Sequence, residues 1–157
     1  MSSVETAFPR SFADRDLPEV VFTPTGDNAA EQQISRLHRQ GRLRQLYRGV
    51  YSSNLKADDA DVVRRNWSRI LGYLAPGCVL SHRSAFDTMP KDGLLYVSRA
   101  AGRRDHELPG LTFKGLVKGS RGAVLNTERP GAADVPYQDF YVASQARAFL
   151  ENLTNDK

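Results

Sequence analysis

The sequence predicts an α+β chain: a small unit made of one helix and a β-hairpin, followed by a mixed α/β unit with a small sheet. Three observations carry this expectation. Ala30, Ile34 and Leu37 recur at helical spacing, and beyond Gly41 the pattern changes to alternation around Gly49. A second amphipathic stretch, with Val62, Val63, Trp67, Ile70, Leu71 and Leu74 on one stripe, follows the acids Asp58, Asp59 and Asp61. Past Gly77 the apolar runs shorten to strand length and are separated by Gly, Pro and charged residues.

Taken in order, residues 1–19 lack periodicity and read as a flexible lead-in. Val20, Val21 and Phe22 form a short strand, stopped by Thr23-Pro24-Thr25-Gly26. Asp27 or Thr25 caps a helix over about residues 28–40, with Glu31 in its first turn and Gly41 as its stop. Leu43, Gln45 and Tyr47, then Val50 and Tyr51, alternate with Arg42, Arg44, Leu46 and Arg48 as a two-stranded ribbon turning at Gly49. This closes a first unit at 20–54.

The companion unit, 55–157, opens with a helix over about 58–74, whose acids suit the positive end of its dipole. Pro76-Gly77 ends that helix. Cys78 to Leu80 is a buried strand, and Ser81 caps a short helix from His82 to Asp87. Strands are expected at Leu94–Ser98, Leu111–Val117 and Tyr141–Ala143, with a basic turn (Arg99, Arg103, Arg104) after the first and a long loop over 119–137. Ser144 caps a last helix that turns Ala146, Phe149, Leu150 and Leu153 to the core.

The 157 residues are 40% hydrophobic and 25% charged, enough for a real core in one domain or in a module with a companion. No apolar run approaches a membrane span, and the N-terminus has acids but no continuous apolar region of a secretory signal. The one cysteine, Cys78, excludes an internal disulfide framework and fits a reducing cytoplasm. A soluble, cytoplasmic protein is therefore expected.

The net charge is +4, and its placement says more than its size. From Gln32 to Ala57 there is no acid, yet the stretch carries Arg36, Arg39, Arg42, Arg44, Arg48 and Lys56. Local positive charge of this kind suits phosphates. Asn28, Gln32, Ser35, Arg36 and Arg39 fall on the helix face opposite the apolar stripe. Asn and Gln match adenine edges, and Arg matches guanine. Arg42, Arg44 and Arg48 on the ribbon would lie near the DNA backbone, giving position without sequence information. The competing reading is a solvated helix with a hairpin that only supports the second unit. A helix-turn-helix requires a preceding helix, and residues 1–26 carry no such periodicity.

The other constellations are weaker. Ser81 and His82 are neighbours at a helix start, where side chains do not normally face each other, and no acid is placed to orient the imidazole. No catalysis is expected. His38, His82 and His106 are too scattered for a metal site, and the acids at 58–61 read as a helix cap. Arg99, Arg103, Arg104, Lys114 and Lys118 suit a phosphate track or a solvated turn equally well. The glycines of residues 119–122 lack the spacing of a phosphate loop. No cofactor is expected.

The segment RLHRQGRLRQLYRGVYSSN, followed by VVRRNWSRILGYLAPGCVLSHRSAFD, resembles the N-terminal part of AbiEi-type antitoxins of type IV toxin–antitoxin systems. There a winged-helix unit ends in an arginine-rich hairpin, and a helix and a Pro-Gly…Ser-His segment follow. The later DGLLYVS, LPGLTF and YVASQARAFLENL resemble the version of this module that precedes Fic domains in bacterial proteins. The likeness covers about residues 20–153. It implies a winged-helix-like first unit and a bacterial DNA-binding regulator that opposes a toxin, acting as a monomer or homodimer on operator DNA. By the same likeness, phosphate contact falls to Arg42, Arg44 and Arg48, and the helix-face role to Gln32, Arg36 and Arg39. The histidine-led Fic motif is absent, so no adenylyl-transfer site is expected. The alternative is a regulatory module that docks a toxin or a downstream Fic-type domain.

Overall fold

The computed structural model describes residues 17–98, 104–115, 134–146 and 148–149. Helices and strands both contribute, as the expected α+β class requires, and the chain divides into two compact units at Val62/Val63.

In the first unit, β1 (Val20–Phe22), β2 (Arg44–Tyr47) and β3 (Val50–Ser52) form an antiparallel sheet in the order β1-β3-β2. The expected two-stranded ribbon is thus a three-stranded sheet, because β1 pairs with β3 through Val20↔Ser52 and Phe22↔Val50. A bulge between Gln45 and Tyr47 bends β2, and Leu46 within it is buried. Gly49 closes the hairpin turn at φ +76°.

Helix α1 (Asn28–Arg39) lies between β1 and β2 in sequence and is held at both ends by local chemistry. The Asp27 carboxylate accepts from the Ala30 N–H at 3.1 Å, satisfying one of the orphan donors of the first turn. At the other end Gly41 takes φ +71°, its N–H bonds to the His38 carbonyl at 3.0 Å, and the Arg42 N–H reaches back to the Leu37 carbonyl at 3.0 Å. That pair of bonds is a Schellman closure, and it turns the chain directly from α1 into β2. Ile34, Leu37, Val21 and Leu43 form one apolar cluster, with Leu17 and Tyr51 packed against it.

The expected helix over 58–74 is two helices, α2 (Asp59–Arg65) and α3 (Trp67–Leu74). Asn66 separates them at φ −111°, ψ 15°. Its N–H bonds to Val63 three residues back while its carbonyl accepts from Ile70, so one residue ends the first helix and starts the second. Asp59 and Asp61 do sit in the first turn of α2, and the Asp58 carboxylate accepts from the Ala60 N–H at 3.2 Å.

The second unit is a six-stranded mixed sheet in the order β6-β7-β5-β4-β9-β8. Its strands are β4 (Val79–Leu80), β5 (Leu94–Ser98), β6 (His106–Leu108), β7 (Leu111–Gly115), β8 (Val135–Tyr137) and β9 (Phe140–Val142). The pairs β5–β7 and β4–β9 are parallel, and the rest antiparallel. Ile70, Leu71, Val79, Leu80, Leu95, Phe113 and Phe140 are fully buried and supply its interior.

Four expectations change here. Strands β6 and β8 were not expected, and β8 occupies the end of the supposed loop over 119–137; residues 116–133 lie outside the described residues. Helix α4 (His82–Asp87) forms, but Ser81 makes no side-chain cap bond; its hydroxyl accepts from Ser98 at 3.2 Å instead. In the last helical residues, Ala148 is buried while Ala146 and Phe149 are exposed, so those two do not face the core as expected. Leu150 and Leu153 lie outside the described residues.

The outer strand β8 is protected by its sequence. Tyr141 and Ala143 direct their N–H groups to the carbonyls of Cys78, just before β4, and Leu80, so Phe140 and Val142 face β8 and pair with Tyr137 and Val135. Alternation then points the backbone nitrogen of Pro136 outward, where its missing N–H denies a donor to any added strand.

At Gly115 the opposite constraint applies. A Cβ there would stand 2.7 Å from the Arg104 carbonyl oxygen and 2.8 Å from its nitrogen, and neither backbone atom can give way. Gly115→Ala is expected to destabilise the protein by about 1–3 kcal/mol, the usual cost of overpacking. Urea unfolding checks this, and an unchanged midpoint would refute it.

Candidate nucleic-acid interface

The buried residues Ala30, Ile34 and Leu37 fix the rotation of α1 about its axis. Everything on the opposite face is then presented to solvent: Asn28, Gln32, Ser35, Arg36 and Arg39 are all exposed. Along the axis the amides come first and the guanidinium groups last. Asp27 and Glu31 lie at the amide end, and Arg36, His38 and Arg39 in the last turn, where cations complement the helix dipole. Arg39 Nε donates to the Ser35 carbonyl at 3.4 Å, a weak bond that leaves the guanidinium at the surface.

His38 ties the end of α1 to the sheet. Its Nδ1 lies 2.9 Å from the Leu43 carbonyl oxygen, and since a carbonyl only accepts, Nδ1 carries the proton. The ring meets Tyr51 of β3 edge-on, with centroids 5.5 Å apart. The hairpin is therefore held against the same helix whose outer face bears the cations.

The three ribbon arginines separate once their surroundings are known. Arg48 is exposed in the hairpin turn, and Arg42 is half-buried just after α1. Arg44 is committed to the protein itself. Its Nη2 meets the Asp59 carboxylate at 2.5 Å and donates to the Ala57 carbonyl at 2.7 Å, and Nη1 points to the Leu55 carbonyl at 3.5 Å. Its guanidinium holds the segment after β3 in place.

A second set of bonds, which the sequence reading missed, completes that anchorage. Asn54 Oδ1 accepts from the N–H groups of Lys56 and Ala57, and Asn54 Nδ2 donates to Glu19 Oε1 at 3.0 Å. Ser52 Oγ accepts from the Asn54 N–H at 3.1 Å, and Ser53 Oγ donates to the Pro18 carbonyl at 2.7 Å. The Ser-Ser-Asn run was the available signal, because these side chains bond readily to nearby backbone. The result leaves Lys56 exposed beside the anchored turn.

Ser81 is buried with its hydroxyl bonded to Ser98, and among the described residues no group of His, Cys, Asp or Glu is placed to hold a metal ion. Arg104 is exposed and Lys114 lies 3.7 Å from Asp105; Arg99, Arg103, Lys118 and residues 119–122 lie outside the described residues. No helix among the described residues is long and apolar enough to cross a membrane. Compared with family models, with curated proteins and with solved structures, the chain matches none of them.

The different settings of Arg44 and Arg48 have a measurable consequence. Arg44→Ala is expected to destabilise the protein by about 1 kcal/mol, a value discounted because the pair is partly exposed. Arg48→Ala should stay within about 0.5 kcal/mol of the parent. Denaturant unfolding of both variants checks this, and equal effects would contradict the anchoring role of Arg44.

Proposed function

We propose that the first unit binds duplex DNA, and that the protein is an antitoxin-like transcriptional regulator with a winged-helix-like reading head and no catalytic role. The observation that carries the proposal is the exposed polar and cationic face of α1, rotationally fixed by the buried stripe behind it. A helix with its side chains is about 10–12 Å across, which matches the roughly 12 Å width of the major groove. With Asn28, Gln32, Ser35 and Arg36 toward base edges, Arg39 and Arg48 would reach the flanking phosphates. Arg42 and Lys56 add positive charge beside them. Arg44 would act indirectly, by holding the segment that carries Lys56.

Binding of this kind releases counterions. With about three to five phosphates neutralised, log K should fall against log salt with a slope of roughly −3 to −5, from about −0.9 per contact. Fluorescence anisotropy with labelled duplexes over a salt series measures the slope. A slope near zero would refute the proposal.

One observation favours a second reading, in which the chain docks a toxin or a downstream Fic-type domain. Phe86, Met89, Val135 and Tyr137 are large apolar side chains exposed in the second unit. The triple reversal Arg36→Glu, Arg39→Glu and Arg48→Glu separates the two readings. DNA binding should be lost with folding intact under the first reading; under the second there is no duplex binding to lose.

A further inference from the structure

Resting on that reading of α1, we propose that the helix recognises a defined base pattern: two adenines about two base pairs apart, then a guanine about two base pairs further on. The order of the exposed side chains carries the inference. Asn28, Gln32 and Arg36 follow one another at intervals of four residues, all exposed on the side away from Ala30, Ile34 and Leu37. Four residues of helix advance about 6 Å, close to two base steps of roughly 3.4 Å each. Asn and Gln carboxamides pair bidentately with adenine N6 and N7, and Arg with guanine O6 and N7.

Charge along α1 sets its orientation. The amide end is flanked by Asp27, held on the Ala30 N–H, and by Glu31. Carboxylates there are repelled by a phosphate backbone, so this end belongs over the base edges of the groove floor and not along a strand. Arg39, at the opposite end of α1, and Arg48 in the hairpin turn are the side chains suited to the backbone. Base reading is thereby assigned to Asn28, Gln32 and Arg36, and positioning to Arg39 and Arg48. Ser35, short and able to donate or accept, tolerates any base at its position.

The test is selection of duplexes from a randomised pool by the full chain, followed by affinity measurements on the enriched sequence and its single-base variants. The parent protein should enrich the A-x-A-x-G spacing. Gln32→Ala should abolish discrimination at the second adenine alone, a loss of about 5- to 150-fold for one bidentate pair, and Arg36→Ala the same at the guanine. Arg48→Ala should weaken all duplexes equally and leave the preferred sequence unchanged. Enrichment of a pattern without adenines and guanine at that spacing would overturn the inference while leaving DNA binding in place. So would a uniform loss of affinity in Gln32→Ala. Failure of the parent to retain any duplex at low salt would overturn the DNA-binding reading itself.

Discussion

Burial of Val21, Ile34, Leu37 and Leu43 against one another is the interaction on which the first unit depends. Each such side chain contributes about 1.5–3 kcal/mol when removed from water, and together they bring a strand, a helix and the start of the hairpin into one body. The same packing determines direction. Once Ile34 and Leu37 point inward, Gln32, Arg36 and Arg39 have no choice but to point outward. The Schellman closure at Gly41 then fixes where the chain leaves the helix, and the His38–Leu43 bond holds that exit in place. A polar face of this kind is useful for recognition only because its backing is rigid.

The fold gives Arg44 and Arg48, neighbours in one acid-free stretch, different surroundings. Arg44 finds Asp59, which lies beyond the stretch in sequence, and with the Ala57 and Leu55 carbonyls the contact turns a surface cation into an internal brace. Arg48, four residues away at the turn, is exposed. Counting positive charges along a sequence therefore overstates the number available to a phosphate backbone. The second unit has a different logic. Its two-residue central strand β4 joins β5 on one side to β9 on the other, and Pro136 guards the outer edge of the sheet.

What the sequence made legible was local. The α1 boundaries follow from Asp27, the apolar spacing and Gly41, signals confined to a few residues. Strands β5 and β9 were legible as short apolar runs, β9 within one residue at each end. The break at Asn66 was hidden because the apolar stripe continues on both sides of it, from Val63 to Trp67 and Ile70. Strand β8 was hidden because Val-Pro-Tyr is short and Pro argues against a strand, which holds for a central strand but not for an edge. Strand β6, with Glu107 at its centre, draws its order from pairing with β7 and not from its own composition. At the candidate interface, the helix face was legible from periodicity alone. The commitment of Arg44 was not, because it depends on a partner brought close only by the fold.

In the proposed function, recognition resides on the outer face of α1 and the hairpin turn. Residue-resolved ¹H–¹⁵N chemical-shift mapping of the full chain titrated with a short DNA duplex tests it most directly. The largest changes should fall on Asn28, Gln32, Arg36, Arg39, Arg48 and Gly49, while Leu95, Phe113 and Phe140 of the second unit stay still. Changes concentrated on the second unit, with α1 silent, would contradict it.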